Sequence, residues 1–398
     1  MPVLLLRTNR YPLHHGTLGA IRTLGRAGIE VHAIVEPGLT PAATSRHLDR
    51  GHPWGPSPES PRALADHLRD IAERIGRVSA LVPLDDAGAI FIAENAGALH
   101  ERFVFPKQES AVPRLVADKA SLLSEAHRND ITVPLSRIPR DRGQLRAAVA
   151  ELGLPLIMKW ARPWLLSEAR RSTTFVTTAR QAERIFDASA SEDAGPLVLQ
   201  KRIRPEGGDW FFQGYFDVGS CCLFGGTGRK HAARPARAGH TIAGEWVHNH
   251  QLEELAQKVV QILGHTGLVD LDFRFERETG RYHLLDFNPR LGAQFRLFHD
   301  RQGLDPLRTL HLDLSGRPIP RQIPGYGRSL IVENHYLQQA LARPARTPSA
   351  LRRARRADEL AWWARDDPRP FLTMGRLSLK SLSTRGAVRN SRSRKEAS

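Results

Sequence analysis

Two apolar segments in the second half of the chain carry acidic residues where buried strands normally have none. The first reads "LVDLDFRF" from Leu268 to Phe275, and the second reads "HLLDFN" from His283 to Asn288. The segment "ERETG" separates them, and Gly280 within it suits the positive φ of a tight turn. We therefore predict an antiparallel hairpin, which commits this part of the chain to a β-sheet.

Side-chain alternation sorts the polar residues of this hairpin by face. Asp270 and Asp272 share one face of the first strand, and Asp286 and Asn288 share one face of the second. Two carboxylates with an amide oxygen suit Mg²⁺, or Mn²⁺, completed by substrate phosphates. A surface hairpin with scattered acids is the alternative. It leaves the acid inside "LLDF" unexplained, because a desolvated charge is normally paired or metal-bound.

Strand–helix alternation marks residues 1–110. The segments "PVLLLRT", "IEVHAIVE", "ALVPLD" and "RFVFP" read as short buried strands with helical patterns between them, which predicts a parallel sheet. No Gly-x-Gly-x-x-Gly follows the first strand, so dinucleotide binding is not expected. His14 and His15 precede the first helix, whose N-terminus suits a carboxylate; loop histidines with structural partners are the alternative. Gly28 follows this helix at the usual glycine cap position.

Composition excludes several classes of protein. No apolar run approaches the ~18 residues of a transmembrane helix. The opening "MPVLLLRTNRYPL" is too short in its apolar part for a signal peptide and has no basic residues before it. Cys221 and Cys222 are the two cysteines, and adjacent cysteines exclude a disulfide framework. We therefore expect a cytoplasmic protein without a membrane partner.

The net charge of +16 is concentrated near the C-terminus. The residues from Ala340 onward hold 15 of the 58 basic residues but 5 of the 42 acidic ones. The ending "GRLSLKSLSTRGAVRNSRSRKEAS" is rich in serine and arginine and lacks periodicity, which predicts a disordered basic tail over residues 373–398. A solvated tail is the favoured interpretation, and contact with an anionic partner is the alternative. Nucleic acid is accordingly not the expected partner.

The hairpin, "LVDLDF" followed by "LLDFNPR", resembles the magnesium-binding hairpin of the ATP-grasp superfamily, whose second strand usually reads acid-x-Asn-Pro-Arg. The segments "DKASLLSEAHRNDITVP", "LPLIMKW" and "LVLQKRI" are similar to other parts of the family and occur in its order. "GLDPLRTLHLDLSGRPIP" and "DDPRPF" resemble the carboxylate–amine ligase subgroup that includes D-aspartate ligase. The hairpin is the specific motif. The other segments support the resemblance through their order along the chain.

The resemblance implies an α/β protein with the ATP-grasp fold, in which two α+β subdomains clasp ATP behind a Rossmann-like parallel-sheet domain. The implied regions are 1–110 for the Rossmann-like domain, 111–195 for the lid subdomain, 196–320 for the core with the metal hairpin, 321–372 for a C-terminal segment and 373–398 for the tail.

The resemblance also implies a role for each candidate site residue. Metal ligands are Asp272, Asp286 and Asn288. ATP-binding residues are Lys119 and Lys159 for phosphate, the Gln200 side chain with the backbone of Lys201 and Ile203 for adenine, and Asp209 for ribose. The catalytic arginines are Arg290, just beyond the hairpin, and Arg229 within "GGTGRKHAARPARAG". A solvated basic loop is the alternative for Arg229.

Two departures from the family pattern bear on this assignment. Both metal acids are aspartates where glutamate is commoner, so the two strands must bring the metal closer. The glycine-rich lid loop expected after Lys159 is replaced by "WARPWLLSEARRSTTFV", which contains no glycine. Our hypothesis is that Arg170, Arg171 and Ser172 take over its contacts with phosphate.

The implied function is an ATP-dependent carboxylate–amine ligase that forms an amide or peptide bond through an acyl phosphate and releases ADP and phosphate. Its substrates would be small carboxylates and amines, such as amino acids or peptides, whose identity the sequence does not specify. Two alternatives stay open: another ATP-grasp chemistry such as carboxylation, and a non-catalytic nucleotide- or nucleic-acid-binding protein. Whether the protein forms a homodimer is also left open by the sequence.

Overall fold

The computed structural model describes residues 1–166, 173–189, 194–235, 239–341 and 347–379. Strands within these ranges form three sheets, of five, four and seven strands. Measured over the same residues, no helix combines the length and apolarity that crossing a bilayer requires.

The N-terminal sheet is parallel, as predicted, with strand order β3-β2-β1-β4-β5. Its strands are β1 (Val3–Leu6), β2 (Val31–Val35), β3 (Arg50–Pro53), β4 (Ser79–Pro83) and β5 (Phe103–Val104). The helices of this region are α1 (His15–Arg26), α2 (Pro61–Ile75), α3 (Asp86–Glu94), α4 (Ala96–Leu99) and α5 (Val112–Ala117). Strand β3 was not predicted, because "RGHP" is a mostly exposed edge strand without an apolar pattern.

The second sheet is antiparallel and has the order β6-β9-β7-β8. Its strands are β6 (Ser136–Arg137), β7 (Leu156–Trp160), β8 (Thr173–Val176) and β9 (Leu197–Lys201). Its helices are α6 (Lys119–Arg128), α7 (Arg142–Leu152) and α8 (Ala179–Ser189). Because β9 pairs with β7, this sheet runs past the predicted boundary at residue 195 and ends at Lys201.

The third sheet has the order β14-β13-β10-β11-β12-β15-β16. Its strands are β10 (Asp209–Phe216), β11 (Cys222–Arg234), β12 (His240–Trp246), β13 (Gly267–Glu276), β14 (Arg281–Asn288), β15 (Ser329–Ile331) and β16 (Glu359–Leu360). Its helices are α9 (His250–Ile262), α10 (Pro306–Leu314), α11 (Glu333–Leu341) and α12 (Thr347–Arg355). The predicted segment 321–372 therefore supplies the last two strands of this sheet.

Packing decides which way the predicted hairpin, β13 and β14, faces. Val269, Leu271 and Phe273 are buried in one apolar cluster with side chains of α9. Fully burying such a side chain contributes about 1.5–3 kcal/mol. Because side chains alternate along a strand, this packing turns Asp270 and Asp272 to the opposite face.

The predicted tail begins too early. Residues 369–379 are helical, and Met374 is buried in a cluster that includes Trp362. Phe371 packs against the same cluster, so two apolar side chains three residues apart form the buried stripe of this helix. The remainder of the predicted tail, residues 380–398, lies outside the described residues.

The burial of Met374 predicts a loss of stability when this residue is replaced. Met374→Ala should lower the free energy of unfolding by about 2–5 kcal/mol, since it leaves a cavity in the cluster. Leu372→Ala, on the same helix but 62% exposed, is the matched control and should have little effect. Denaturant unfolding measures both variants. Equal unfolding midpoints for the two variants would mean that Met374 is not packed, and the predicted tail boundary at residue 373 would then stand.

Candidate functional site

One cleft of about 720 Å³ is lined by residues from all three sheet regions. This volume suits a nucleotide together with a small second molecule. Ten of the eleven predicted site residues line it: Lys119, Lys159, Gln200, Lys201, Ile203, Asp209, Asp272, Asp286, Asn288 and Arg290.

The hairpin register brings its acids together. Asp272 lies directly opposite Asp286, and Asp270 lies opposite Asn288. The register shifts immediately after Asp272, which leaves Leu285 as an extra residue in β14. Sequence alternation predicted the shared face of these side chains but not the bulge.

Asp286 receives two ammonium groups. Lys119, the first residue of α6, contacts Oδ1, and Nζ of Lys159 lies 3.1 Å from Oδ2. Nζ of Lys159 also donates to the carbonyl of Leu285, the bulge residue, at 2.9 Å. Burial raises the pKa of the Asp286 carboxyl, but the two lysines outweigh it and hold that pKa well below its usual range. Asp286 is therefore an anion at any ordinary pH.

Lys159 is 5% exposed and is the next-to-last residue of β7. Burial lowers the pKa of its ammonium group, and the charge of Asp286 only partly offsets this effect. The sequence feature that marks it is a single charge inside the buried strand "LIMKW". Such a charge requires a partner, and Asp286 provides it.

A third lysine completes the hairpin site. Nζ of Lys230 lies 2.6 Å from Oδ1 of Asp272. Burial raises the pKa of Asp272, and Lys230 opposes that rise. Conversely, burial disfavours the charged form of Lys230, but Asp272 more than compensates and raises the pKa of Lys230.

Arg229 is the predicted site residue that the cleft does not include. Its exposed guanidinium lies 5.6 Å from the ring centroid of Trp210. In the sheet, Arg229 pairs with Trp210 while Lys230 pairs with Asp209, which lines the cleft. Neighbouring residues of a strand face opposite sides, so Lys230 occupies the place expected for Arg229. The glycines before them carry no side chains, so the sequence does not show which residues of β11 face the cleft.

Arg290 is held by two acids. Its Nη1 lies 2.6 Å from Oδ2 of Asp270, and its Nε lies 3.4 Å from Oδ1 of Asp86. Burial lowers the pKa of Arg290, but Asp270 and Asp86 more than compensate and raise it. Asp270 also accepts from Nε2 of Gln213 at 2.9 Å, so this acid positions Arg290. Asp86 was not predicted as a site residue. It follows the C-terminal end of β4, and ligands of parallel sheets often bind at this edge.

The residues assigned to adenine lie at the end of β9. Gln200 is buried, and its Nε2 donates to the hydroxyl of Ser136 at 3.1 Å. The backbone N–H of Lys201 donates to the carbonyl of Leu135 at 2.8 Å. These contacts fix the backbone that the resemblance places beside the base.

The residue assigned to ribose is joined to this segment by an arginine. Nε of Arg274 lies 2.5 Å from Oδ1 of Asp209, and its Nη1 donates to the carbonyl of Ile203 at 3.1 Å. Arg274 thus ties the start of β10 to the beginning of the preceding loop, just after β9. The segment assigned to phosphate, with Arg170 and Arg171, lies outside the described residues.

The hairpin oxygens are the candidate ligands of a metal ion. No group of three His, Cys, Asp or Glu side chains within the described residues is arranged to hold a metal. Asp272, Asp286 and Asn288 instead offer two carboxylates and one amide. Nδ2 of Asn288 donates to the carbonyl of Asp270 at 2.9 Å, which directs its Oδ1 away from that strand. This hard-oxygen set fits Mg²⁺, which takes one or two carboxylates with phosphate and water.

Comparison with known proteins bears on the fold. No protein-family model and no curated protein matches the sequence. A Campylobacter jejuni biotin carboxylase, solved as a β,γ-ATP complex, matches with a TM-score of 0.60 and 16% identity over 82% of this chain and 74% of that one. A Staphylococcus aureus N5-carboxyaminoimidazole synthetase complexed with ADP matches with a TM-score of 0.62 and 11% identity, over 86% and 85%.

The third comparison is with an L-amino acid ligase from Bacillus licheniformis. It matches with a TM-score of 0.57 and 15% identity, over 79% of this chain and 74% of that one. Identities this low establish a shared fold and no shared substrate. The predicted fold class is confirmed by these likenesses.

Proposed function

Because the chain has the ATP-grasp fold, we propose that it is an ATP-dependent carboxylate–amine ligase of the D-aspartate ligase-like subgroup. The reaction forms an amide or peptide bond through an acyl phosphate and releases ADP and phosphate. The observation that carries this proposal is the meeting of Asp272, Asp286 and three lysines in one cleft beside Arg290.

The roles of the metal and phosphate ligands follow from charge, and the roles at adenine and ribose follow from the resemblance. Asp272, Asp286 and Asn288 hold Mg²⁺ or Mn²⁺, which supplies charge neutralisation for the nucleotide phosphates. Lys119 and Lys159 neutralise phosphate oxygens. Their protein partner, Asp286, is then shared with the metal. Gln200 and the backbone of Lys201 and Ile203 hold adenine, and Asp209 holds ribose.

The chemistry is a transfer of phosphate between two anions. A substrate carboxylate oxygen attacks the γ-phosphorus, the bond to ADP breaks, and an acyl phosphate forms. The amine then attacks the acyl carbon, phosphate leaves, and the amine nitrogen loses a proton. Arg290 and Lys230 neutralise the charge that the two anions bring together. Positioning supplies most of the remaining rate.

Carboxylation is the second candidate, since two of the compared structures are named for carboxylation chemistry. In that case bicarbonate takes the place of the organic acid. The same cleft residues would neutralise its charge, so the substrate rather than the site distinguishes the two reactions.

The test is ADP release with ATP, magnesium and pairs of amino acids, in parallel with bicarbonate and no organic acid. We expect release that requires an acid and an amine together. Release with bicarbonate alone would favour carboxylation. Nucleotide binding without release under any condition would support the non-catalytic alternative.

Lys230 and Arg229 give a matched pair of variants, since they are neighbours in β11 that carry the same charge. Lys230→Gln should lower kcat/KM roughly 100-fold, as removal of one preorganised donor does elsewhere. Arg229→Gln should leave it within about twofold, because surface changes away from a site have small effects. A loss in Arg229→Gln equal to that in Lys230→Gln would return Arg229 to the site.

A further inference from the structure

The cleft continues beyond the hairpin into a second group of polar side chains. We call it the histidine subsite, and it consists of His14, His15, Arg234, His240 and His335. Arg234 lies on β11, four residues after Lys230, and pairs in the sheet with His240. The subsite therefore adjoins the proposed reaction centre without belonging to the ATP or metal ligands.

His335 is a neutral hydrogen-bond donor. Nη1 of Arg234 lies 3.3 Å from Nδ1 of His335 and also donates to Gln338. A guanidinium can only donate, so Nδ1 is the acceptor and the ring proton sits on Nε2. Burial, with His240 and Arg234 nearby, lowers the pKa of His335 to about 4.

The first turn of a helix holds His14 in the same neutral state, with its ring proton on Nε2. It caps α1, and its Nδ1 accepts from the backbone N–H of Thr17 at 3.2 Å. The neutral ring therefore carries its proton on Nε2. Burial, together with Arg7 and His15, lowers the pKa of His14. The amide groups at the start of α1 add partial positive charge at this position.

His15 provides an independent sign that a ligand belongs here. It is 7% exposed and lines the cleft. Its Nδ1 is buried and finds no hydrogen-bond partner within the described part of the chain. Buried polar atoms are nearly always paired, so an unpaired one in a cleft points to a missing partner.

The acids that line the neighbouring wall are already engaged. Asp85 accepts from the backbone N–H groups of Thr8, Asn9 and Gly88. Asp86 lies against Arg290. The subsite itself therefore offers the Arg234 guanidinium and the Nε2–H of His14, together with the Nε2–H of His335, which lies 3.5 Å from the hydroxyl of Tyr11. Such donors suit an anion and not an ammonium group.

We propose that the histidine subsite binds a carboxylate of the substrate that does not react. This proposal rests on the proposed function, which places the reacting carboxylate beside the hairpin. The bound carboxylate belongs either to an acid substrate with two carboxylates or to an amino acid that serves as the amine. Both sources share the same chemistry.

The first test uses hydroxylamine as the nucleophile, with ATP, magnesium and an acid. Aspartate, glutamate and succinate are compared with asparagine, glutamine and propionate. If the acid supplies the carboxylate, hydroxamate forms from the dicarboxylates roughly 100-fold faster or more, since a site built for a polar group rejects analogues without it. Arg234→Gln then raises KM for the acid.

The second test adds amines to the complete reaction. If the amine supplies the carboxylate, Arg234→Gln leaves hydroxamate formation unchanged. It raises KM for an amino acid more than KM for the corresponding amino acid amide. Arg229→Gln, on the other face of the same strand, is the matched control. His240→Gln, an exposed member of the subsite, gives a second variant that does not disturb the core.

The proposal is overturned if Arg234→Gln and His240→Gln both behave like Arg229→Gln in both assays. Calorimetry with aspartate and succinate, without ATP, separates this result from failure of the proposed function. Binding that Arg234→Gln weakens, without any ADP release, supports the subsite and contradicts the ligase. If the rate of ADP release is the same whether or not the acid or the amine carries an additional carboxylate, the result supports the ligase and contradicts the subsite.

Discussion

Replacing Asp286 with asparagine should lower magnesium-dependent kcat/KM by at least about 100-fold, because changes outside the direct ligands of a metal already cost roughly 10- to 100-fold. Asparagine keeps the shape of the side chain and removes the charge that faces Lys119 and Lys159. ADP release, measured over a range of magnesium concentrations, checks this prediction. Near-normal release at ordinary magnesium would remove Asp286 from the site.

The same variant should also be less stable. Without Asp286, Lys119 and Lys159 face each other with no shared carboxylate, and Lys159 is 5% exposed. We expect a loss of about 1–3 kcal/mol, below the ~3–5 kcal/mol for a fully buried pair, because the Asp286 side chain is 20% exposed. Glu278→Gln, in the hairpin turn and 64% exposed, is the control and should change neither property.

Replacing Lys159 with methionine should lower activity about as much as Asp286→Asn does but should lower stability less. Turnover should fall roughly 100-fold or more, through weaker ATP binding and a slower phosphate transfer. Stability should change by less than in Asp286→Asn, since a buried methionine carries no charge to desolvate and the carboxylate left behind is 20% exposed. Asp286 also keeps Lys119 as a partner.

Nucleotide binding and thermal unfolding, measured on the same samples, check this second prediction. Lys258→Met, an exposed lysine on α9, is the matched control. An unchanged KM for ATP in Lys159→Met would contradict the phosphate role of Lys159. A larger loss of stability than in Asp286→Asn would contradict the account of the charge cluster.

The local part of the site was predictable from the sequence because its information is local. The period of two in "VDLDF" and "LLDFN" put the acids on one face, and the turn with Gly280 (φ 66°) joined the two strands. A single lysine inside "LIMKW" marked a buried charge. Each inference used residues that are neighbours along one strand or across one hairpin.

The errors arose where the deciding contact is distant or the pattern is weak. The glycines of β11 carry no side chains, so the sequence did not indicate that Lys230, and not Arg229, lines the cleft. The lid boundary fell at residue 195 because the pairing of β9 with β7 joins segments far apart in the chain. His335 lies about a hundred residues from Arg234, and only the folded sheet brings them together.

The most direct measurement of the central claim follows the oxygen atoms. The acid substrate is labelled with a heavy oxygen isotope in its carboxylate, and the reaction is run with ATP, magnesium and amine. Attack on the γ-phosphorus predicts that one labelled oxygen appears in inorganic phosphate, with ADP formed in equal amount. Label recovered in AMP, with release of pyrophosphate, would show an acyl adenylate and contradict the account.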